Sequence, residues 1–142
     1  MTVAEFRPIE DEERKGQIIS FENLRLGRHW PSDIDGCYEI ASDVFLFFEY
    51  KLSPSGNFHM DVGQELMYTH LVDRLRAGGA KAIAIGCTHD VGDKDEHVDG
   101  GNCIVASYYD GETKVNGRLV WVADGKRTAK QLADEFIEKS TK

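Results

Sequence analysis

Long apolar runs are missing from this 142-residue chain. The longest hold four or five residues, too few to span a bilayer. Residues 1–13 are acidic and lack an apolar stretch of signal-peptide type, so no secretory leader is expected. Cysteine is scarce. Cys37, Cys87 and Cys103 are an odd number, widely spaced, with no CxxC pair. That pattern excludes a disulfide framework and a Cys-built zinc site, and it points to a reducing cytoplasm. An excess of basic charge is missing too: Lys and Arg number 17 against 25 Asp and Glu, a net charge of −8. A non-specific nucleic-acid coat protein would normally be basic. No repeat, low-complexity tract or Pro/Gly/Ser linker divides the chain. The expectation is one α/β domain over residues 16–142 behind a flexible acidic leader, residues 1–15.

What is present is ordinary for a globular domain: 41% hydrophobic and 30% charged residues, enough to bury a core. The acid is unevenly placed. Residues 1–13 carry −4 and residues 87–111 carry −5, while residues 14–86 carry only −1 and residues 112–142 carry +2. The body is near neutral, so a locally basic face is compatible with the composition.

Apolar periodicity supplies the elements. Ser20 is placed to cap a short helix near Ile18, Ile19, Phe21 and Leu24. Residues 37–41 and 44–52 are β-branched and aromatic, separated by Ser42-Asp43, which predicts a hairpin. The second run, VFLFFEYKL, reads as a strand buried on both faces. From Asp61 to Arg76 the spacing turns helical: Val62, Leu66, Met67, Leu71, Val72 and Leu75 recur at three and four, and Gly78-Gly79 ends the helix. Residues 80–87 form another buried strand, so strand–helix–strand predicts a crossover, right-handed if the strands are parallel. Residues 88–102 are a polar, Gly-rich loop. Residues 103–109 and 117–122 read as two more strands, joined through Asp110-Gly111 and Asn116-Gly117 turn chemistry. Thr128 with Gln131 forms a capping box before a final helix with an apolar stripe of Ala129, Leu132, Ala133, Phe136 and Ile137. The sum is a mixed sheet of about five strands with two helices.

Five residues stand out. Glu49 and Lys51 lie two apart on an apolar strand and share a face. Burying either charge without a partner costs several kcal/mol, so they pair with each other or serve something bound there. Asp35 lies 14 residues upstream, near the start of the neighbouring hairpin strand, and the hairpin is expected to bring its carboxylate alongside Glu49. Two adjacent carboxylates favour a divalent cation between them, and their oxygen chemistry suits Mg²⁺ or Mn²⁺ rather than Zn²⁺. A neighbouring lysine is placed to hold an attacking water or stabilise a phosphorane-like transition state. Gln64 and Tyr68, four apart, share one face of the following helix.

The order of acidic residue, Glu-x-Lys and Gln-x-x-x-Tyr resembles the PD-(D/E)xK nuclease superfamily. Gln64-Glu65-Leu66-Met67-Tyr68 is similar to the QxxxY motif of its RecB-like and lambda-exonuclease-like members. Trp30-Pro31-Ser32-Asp33-Ile34-Asp35-Gly36 is similar to the first-acid segment of small phage-type nucleases. The resemblance covers residues 18–88, about half the chain. It implies a restriction-endonuclease-like α-β-β-β-α-β core and Mg²⁺-dependent hydrolysis of DNA phosphodiesters. It also implies Asp35 and Glu49 as metal ligands, Lys51 as the catalytic lysine, and Gln64 and Tyr68 in support. Glu22 matches a further acid that the family often carries in its first helix, and so becomes a third ligand. The tripeptide alone says little. Acid-x-Lys occurs four times here, and only Glu49–Lys51 sits in an apolar strand with an acid upstream and a Gln-bearing helix downstream.

The plainer readings are a turn at Asp35-Gly36, a salt-bridged strand end at Glu49 and Lys51, and an ordinary helical pair at Gln64 and Tyr68. For DNA contact, Arg28, Trp30, Arg118, Lys126 and Lys130 are the first choices, with Arg25, Arg74, Arg76, Lys81, Lys114 and Arg127 also available for phosphates. Single-stranded, branched and duplex DNA all remain open as substrates, and two copies pairing to address two strands is a further expectation. His89, Asp90, Asp93, Asp95, Glu96, His97 and Asp99 read as a solvated acidic loop without recognised ligand spacing. Two other functions stay open: a nuclease-like module that binds without cutting, and an interaction protein that docks a partner on loop 88–102.

Overall fold

The computed structural model describes residues 20, 22–29, 31–93 and 96–141. The acidic leader, Trp30 and Asp95 lie outside the described residues. Two units are distinguished, one ending at Pro31 and the other Ser32–Lys142. In the first, Glu22–Leu24 form one 3-10 turn, where the Ser20 hydroxyl accepts from the Glu22 amide, and Leu26 bridges His29.

The second unit holds the sheet. Strand β1 (Gly36–Ile40) pairs antiparallel with β2 (Val44–Leu52), helix α1 (Val62–Ala77) follows, and β3 (Lys81–His89) lies parallel to β2. Strand β4 (Ile104–Tyr109) runs antiparallel to β3. Two-residue strands β5 (Lys114–Val115) and β6 (Arg118–Leu119) form a separate hairpin. Strand β7 (Val122–Ala123) closes the main sheet beside β4, and α2 (Ala129–Ser140) ends the unit. The order β1-β2-β3-β4-β7 makes a mixed five-stranded sheet.

Helix α1 covers one face and α2 the other. Phe47, Ala82, Ala84 and Tyr109 pack with Tyr68 and Val72 of α1. Val44, Leu46, Phe48, Ile83, Ile85 and Val105 pack with Ala129, Leu132 and Ala133 of α2. Alternate side chains of β2 and β3 thus enter different cores, which is why both strands read as continuous apolar runs. Each fully buried aliphatic side chain contributes about 1.5–3 kcal/mol.

The predicted hairpin, α1, β3, β4 and α2 are all present, and the Thr128–Gln131 capping box is complete. Three details differ. Residues 117–122 are not one strand: the Asn116-Gly117 turn, with positive φ at both residues, folds 114–119 back on itself and leaves only Val122–Ala123 for the sheet. The inward stripe of α1 is the predicted one in part: Met67, Leu71, Val72 and Leu75 pack into the core beneath the helix, whereas Val62 is 72% and Leu66 49% exposed. The face toward the sheet begins with Gln64 and continues through Tyr68 and Val72, so its first inward position is polar. Finally, only two strands precede α1 among the described residues, where the family resemblance implies three, and a 3-10 turn stands where it implies a helix.

Candidate functional site

Strand parity places Glu49 and Lys51 on the α1 face, following Phe47, with Tyr50 on the other. Glu49 is only 3% exposed, a carboxylate at the end of a hydrophobic strand. Its burial is matched by three donors. Tyr68 donates its hydroxyl to Oε1 at 2.7 Å. Lys51 Nζ lies 3.0 Å from Oε2, and Gln64 Nε2 donates to the same oxygen at 3.4 Å. Gln64 also accepts from Lys51 Nζ through Oε1 at 3.0 Å, so its amide bridges the ion pair.

Local structure sets these positions. Asp61 caps α1 by accepting from the Gln64 amide at 2.8 Å, which anchors the turn carrying Gln64. Tyr68 lies one turn further on, 1% exposed, its hydroxyl also 3.4 Å from the Phe48 carbonyl. Burial, reinforced by the hydrogen bond to Glu49, pushes the Tyr68 phenol well above the ordinary tyrosine range, so it remains a donor at physiological pH. On β3, Gly86 stands level with Glu49. A Cβ there would lie 2.5 Å from the Phe58 ring, so the missing side chain is what lets Phe58 seat beside the buried carboxylate.

Asp35 lies one step beyond the Gly36–Phe48 pair, abreast of Glu49. Its Oδ2 accepts from the Tyr50 amide at 2.8 Å. The residue is exposed, but its carboxyl tip is tucked against β2. Partial burial raises its pKa above the usual aspartate value. The backbone hydrogen bond opposes that shift, the charges of Glu49 and Asp33 add to it, and Lys51 acts the other way. Three carboxylates therefore feel one another where a single ammonium sits.

That donor set fits a hard divalent cation. Asp35 Oδ1 takes no hydrogen bond among the described residues, and Glu49 Oε1 takes one. No group of three His, Cys, Asp or Glu able to hold a metal occurs among the described residues. Two carboxylates, completed by water and substrate phosphate, are the usual protein share of a Mg²⁺ site rather than of a closed protein cage. The location agrees with the chemistry: α/β sheets bind ligands at the carboxyl ends of their parallel strands, here those of β2 and β3.

Asp35, Glu49, Lys51, Gln64 and Tyr68 are thus brought together. The remaining predicted residues stand on other segments of the chain. Glu22 and Arg28 belong to the first unit, and Trp30 lies outside the described residues. Arg118 is on the small β5–β6 hairpin, Lys126 precedes α2, and Lys130 is in the first turn of α2, paired with Asp134 at 2.6 Å. Several cations expected to meet phosphate are engaged elsewhere. Arg127 bridges Asp124 at 2.7 Å and Glu135 at 2.6 Å and lies over the Tyr108 ring. Arg76 pairs with Glu112 at 2.7 Å, and Lys81 donates to the Ser140 carbonyl at 2.6 Å. The sequence reading missed Asp33, Asp61 and Phe58. Asp61 was detectable as a cap three residues before Gln64; Phe58 carried no such signal, because only the fold sets it over Gly86.

Comparison of the chain with protein-family models, with curated proteins and with solved structures found no match.

Proposed function

We propose that this protein is a Mg²⁺- or Mn²⁺-dependent nuclease of PD-(D/E)xK type that hydrolyses DNA phosphodiester bonds. The observation that carries the reading is the buried Glu49 carboxylate, held by Tyr68, Gln64 and Lys51, with the Asp35 carboxylate abreast of it. Asp35 and Glu49 would hold the cation, which supplies charge neutralisation on the phosphate and activation of water. Lys51 Nζ sits at the mouth of the pair, its side chain 31% exposed, where it orients water or meets charge developing on the phosphate. Gln64 holds the lysine and the glutamate in register through its amide, and Tyr68 keeps the glutamate carboxylate from rotating. The mixed sheet with a helix on each face is compatible with a restriction-endonuclease-like core.

The test is Mg²⁺- or Mn²⁺-dependent cleavage of plasmid, single-stranded and branched DNA, with a chelated control. Cleavage that Lys51→Ala reduces by at least 100-fold is expected, on the scale of one lost electrostatic stabiliser. A clean preparation that cuts nothing, or a Lys51→Ala variant as active as wild type, ends the proposal.

One observation favours a second reading, a nuclease-like module that binds nucleic acid or a protein without cutting. Three of the roughly four acceptor positions of Glu49 already have donors, so the network is satisfied as a structural unit. That reading predicts DNA retention in chelator and no loss of retention on Glu49→Gln.

A further inference from the structure

The opposite face of β1 and β2 carries a second concavity. Register sets Tyr38 across from Leu46, on the α2 side of the sheet. There a cavity of about 470 Å³ is lined by Asp35, Gly36, Tyr38, Phe48, Tyr50 and Lys130, among others. Its size falls within the range of small-molecule sites, about 300–1,000 Å³.

The wall is aromatic and ordered. Phe48 and Tyr50 stack with rings 9° from parallel at 6.2 Å, and Tyr38 meets Phe48 edge-on at 6.0 Å. Tyr50 is fixed at its far end by donating to the Gly100 carbonyl at 3.2 Å. Tyr38 differs from its neighbours. It is 59% exposed against 5% for Phe48, and its hydroxyl makes no hydrogen bond among the described residues. A large ring is therefore held at the lip of the groove by Phe48 while much of it faces solvent.

Two of the lining positions, Gly36 and Gly101, carry no side chain. A Cβ at Gly36 would meet only Phe48, at 3.7 Å, and one at Gly101 only Asp99 and Lys130, at 3.6 and 3.7 Å. Neither glycine has a positive φ, so neither is demanded by the backbone. The space they leave is compatible with alanine and is nonetheless open.

Continuity with the carboxylate site selects the occupant. Asp35 lines this groove and is also the residue level with Glu49, whose side chain lies on the α1 face of β2. Tyr38 follows Asp35 by three residues and lies on β1, an edge strand of the sheet, so the way from the carboxylate site to the Tyr38 ring runs round an open sheet edge. Lys130 lies on the rim, and its partner Asp134 is exposed, so a phosphate competes with a weak ion pair. Base–aromatic stacking needs a base whose face is uncovered, which a base within a duplex does not offer.

We propose that the groove between β1 and the start of α2 takes an unpaired nucleobase stacked on Tyr38, so that the substrate class is single-stranded nucleic acid. This rests on the reading of the carboxylate site as a phosphodiesterase. DNA and RNA share the base chemistry, and the assay separates them.

Fluorescence anisotropy of end-labelled dT12, rU12 and a 12-base-pair duplex is measured on the full chain in EDTA, where no cleavage occurs. Tyr38→Ala is expected to weaken binding of dT12, rU12 or both about tenfold, the scale of one lost stack. Tyr38→Phe restores binding, and duplex binding does not depend on Tyr38. The double substitution Gly36→Ala with Gly101→Ala, which narrows the groove without touching Tyr38, weakens single-strand binding in the same direction. Absence of saturable binding to either single strand overturns the proposal, as does a Tyr38→Ala affinity within twofold of wild type, or an equal loss on duplex. If wild type cuts DNA with Mg²⁺ while Tyr38→Ala binds single strands normally, the groove falls and the nuclease reading stands. If wild type cuts nothing but Tyr38-dependent binding is seen, the groove stands and the nuclease reading falls.

Discussion

Replacing Tyr68 by phenylalanine removes one oxygen from the core and nothing else. Tyr68 is 1% exposed, so the ring stays packed against Phe47, Ala84 and Val72 and no sizeable cavity opens. What is lost is the 2.7 Å donor to Glu49 Oε1. A hydrogen bond to a charged group is worth about 1.5–3 kcal/mol, and here the acceptor is buried and keeps donors only on its other oxygen. The expected loss is about 2 kcal/mol, or roughly 4–8 °C in Tm. In a Glu49→Gln background the same substitution removes a hydrogen bond to a neutral acceptor, worth about 1 kcal/mol. The cycle therefore predicts a coupling of about 1 kcal/mol, above the usual additivity error of about 0.3–0.5 kcal/mol. Urea unfolding of the four proteins at pH 7, followed by tryptophan fluorescence, measures it. The pH arm has a definite sign. The folded phenol titrates above its unfolded value of about 10, so its stabilisation is complete below pH 10 and is lost as pH rises beyond it. Wild type should therefore lose its advantage over Tyr68→Phe above about pH 10. A Tyr68→Phe protein within 0.5 kcal/mol of wild type, or equal losses with and without the Glu49 charge, would refute the view that this network holds Glu49.

Asp35→Asn keeps an acceptor for the Tyr50 amide but removes a charge that its neighbours oppose. Because the folded carboxyl pKa is raised, its contribution to stability is present at low pH and fades as pH rises through that pKa. The variant should match or exceed wild type at pH 7 by a few tenths of a kcal/mol, given the exposure of the group, and lose Mn²⁺ binding measured by calorimetry; a less stable variant that still binds Mn²⁺ contradicts the site. Gly86→Ala places a methyl 2.5 Å from the Phe58 ring and should expel it, costing about 1–3 kcal/mol in chemical denaturation; a neutral result means Phe58 does not seat there. Ser42 holds φ +60° in the β1–β2 turn, so Ser42→Gly should stabilise by about 1 kcal/mol in the same assay, and a loss of stability would show that the turn does not adopt that backbone.

How much could be read beforehand depended on range. Hairpin, helices and strands followed from periodicity and turn chemistry, since those signals span only a few residues. The β5–β6 hairpin is not legible in the sequence, because Asn116-Gly117 looks like a connector into a strand, while its backbone closes a turn between two-residue strands too short for any periodicity. Val62 and Leu66 look like core on spacing alone. Their exposure follows from how α1 is rotated on the sheet, which turns Gln64 and Tyr68 inward instead.

By itself the sequence determined that a charged pair, Glu49 and Lys51, would sit on one side of a strand otherwise made for a core, because strand parity is a two-residue property. It determined equally that Gln64 and Tyr68 would share a helix face. Only the tertiary structure decided that α1 lies on the Glu49 side of β2, with Asp61 locking the turn that offers Gln64. It alone revealed that Gly36 and Gly101, distant in the chain, line one shared hollow beside Tyr38. Such placements depend on packing between segments far apart in sequence, and no local pattern of residues encodes them.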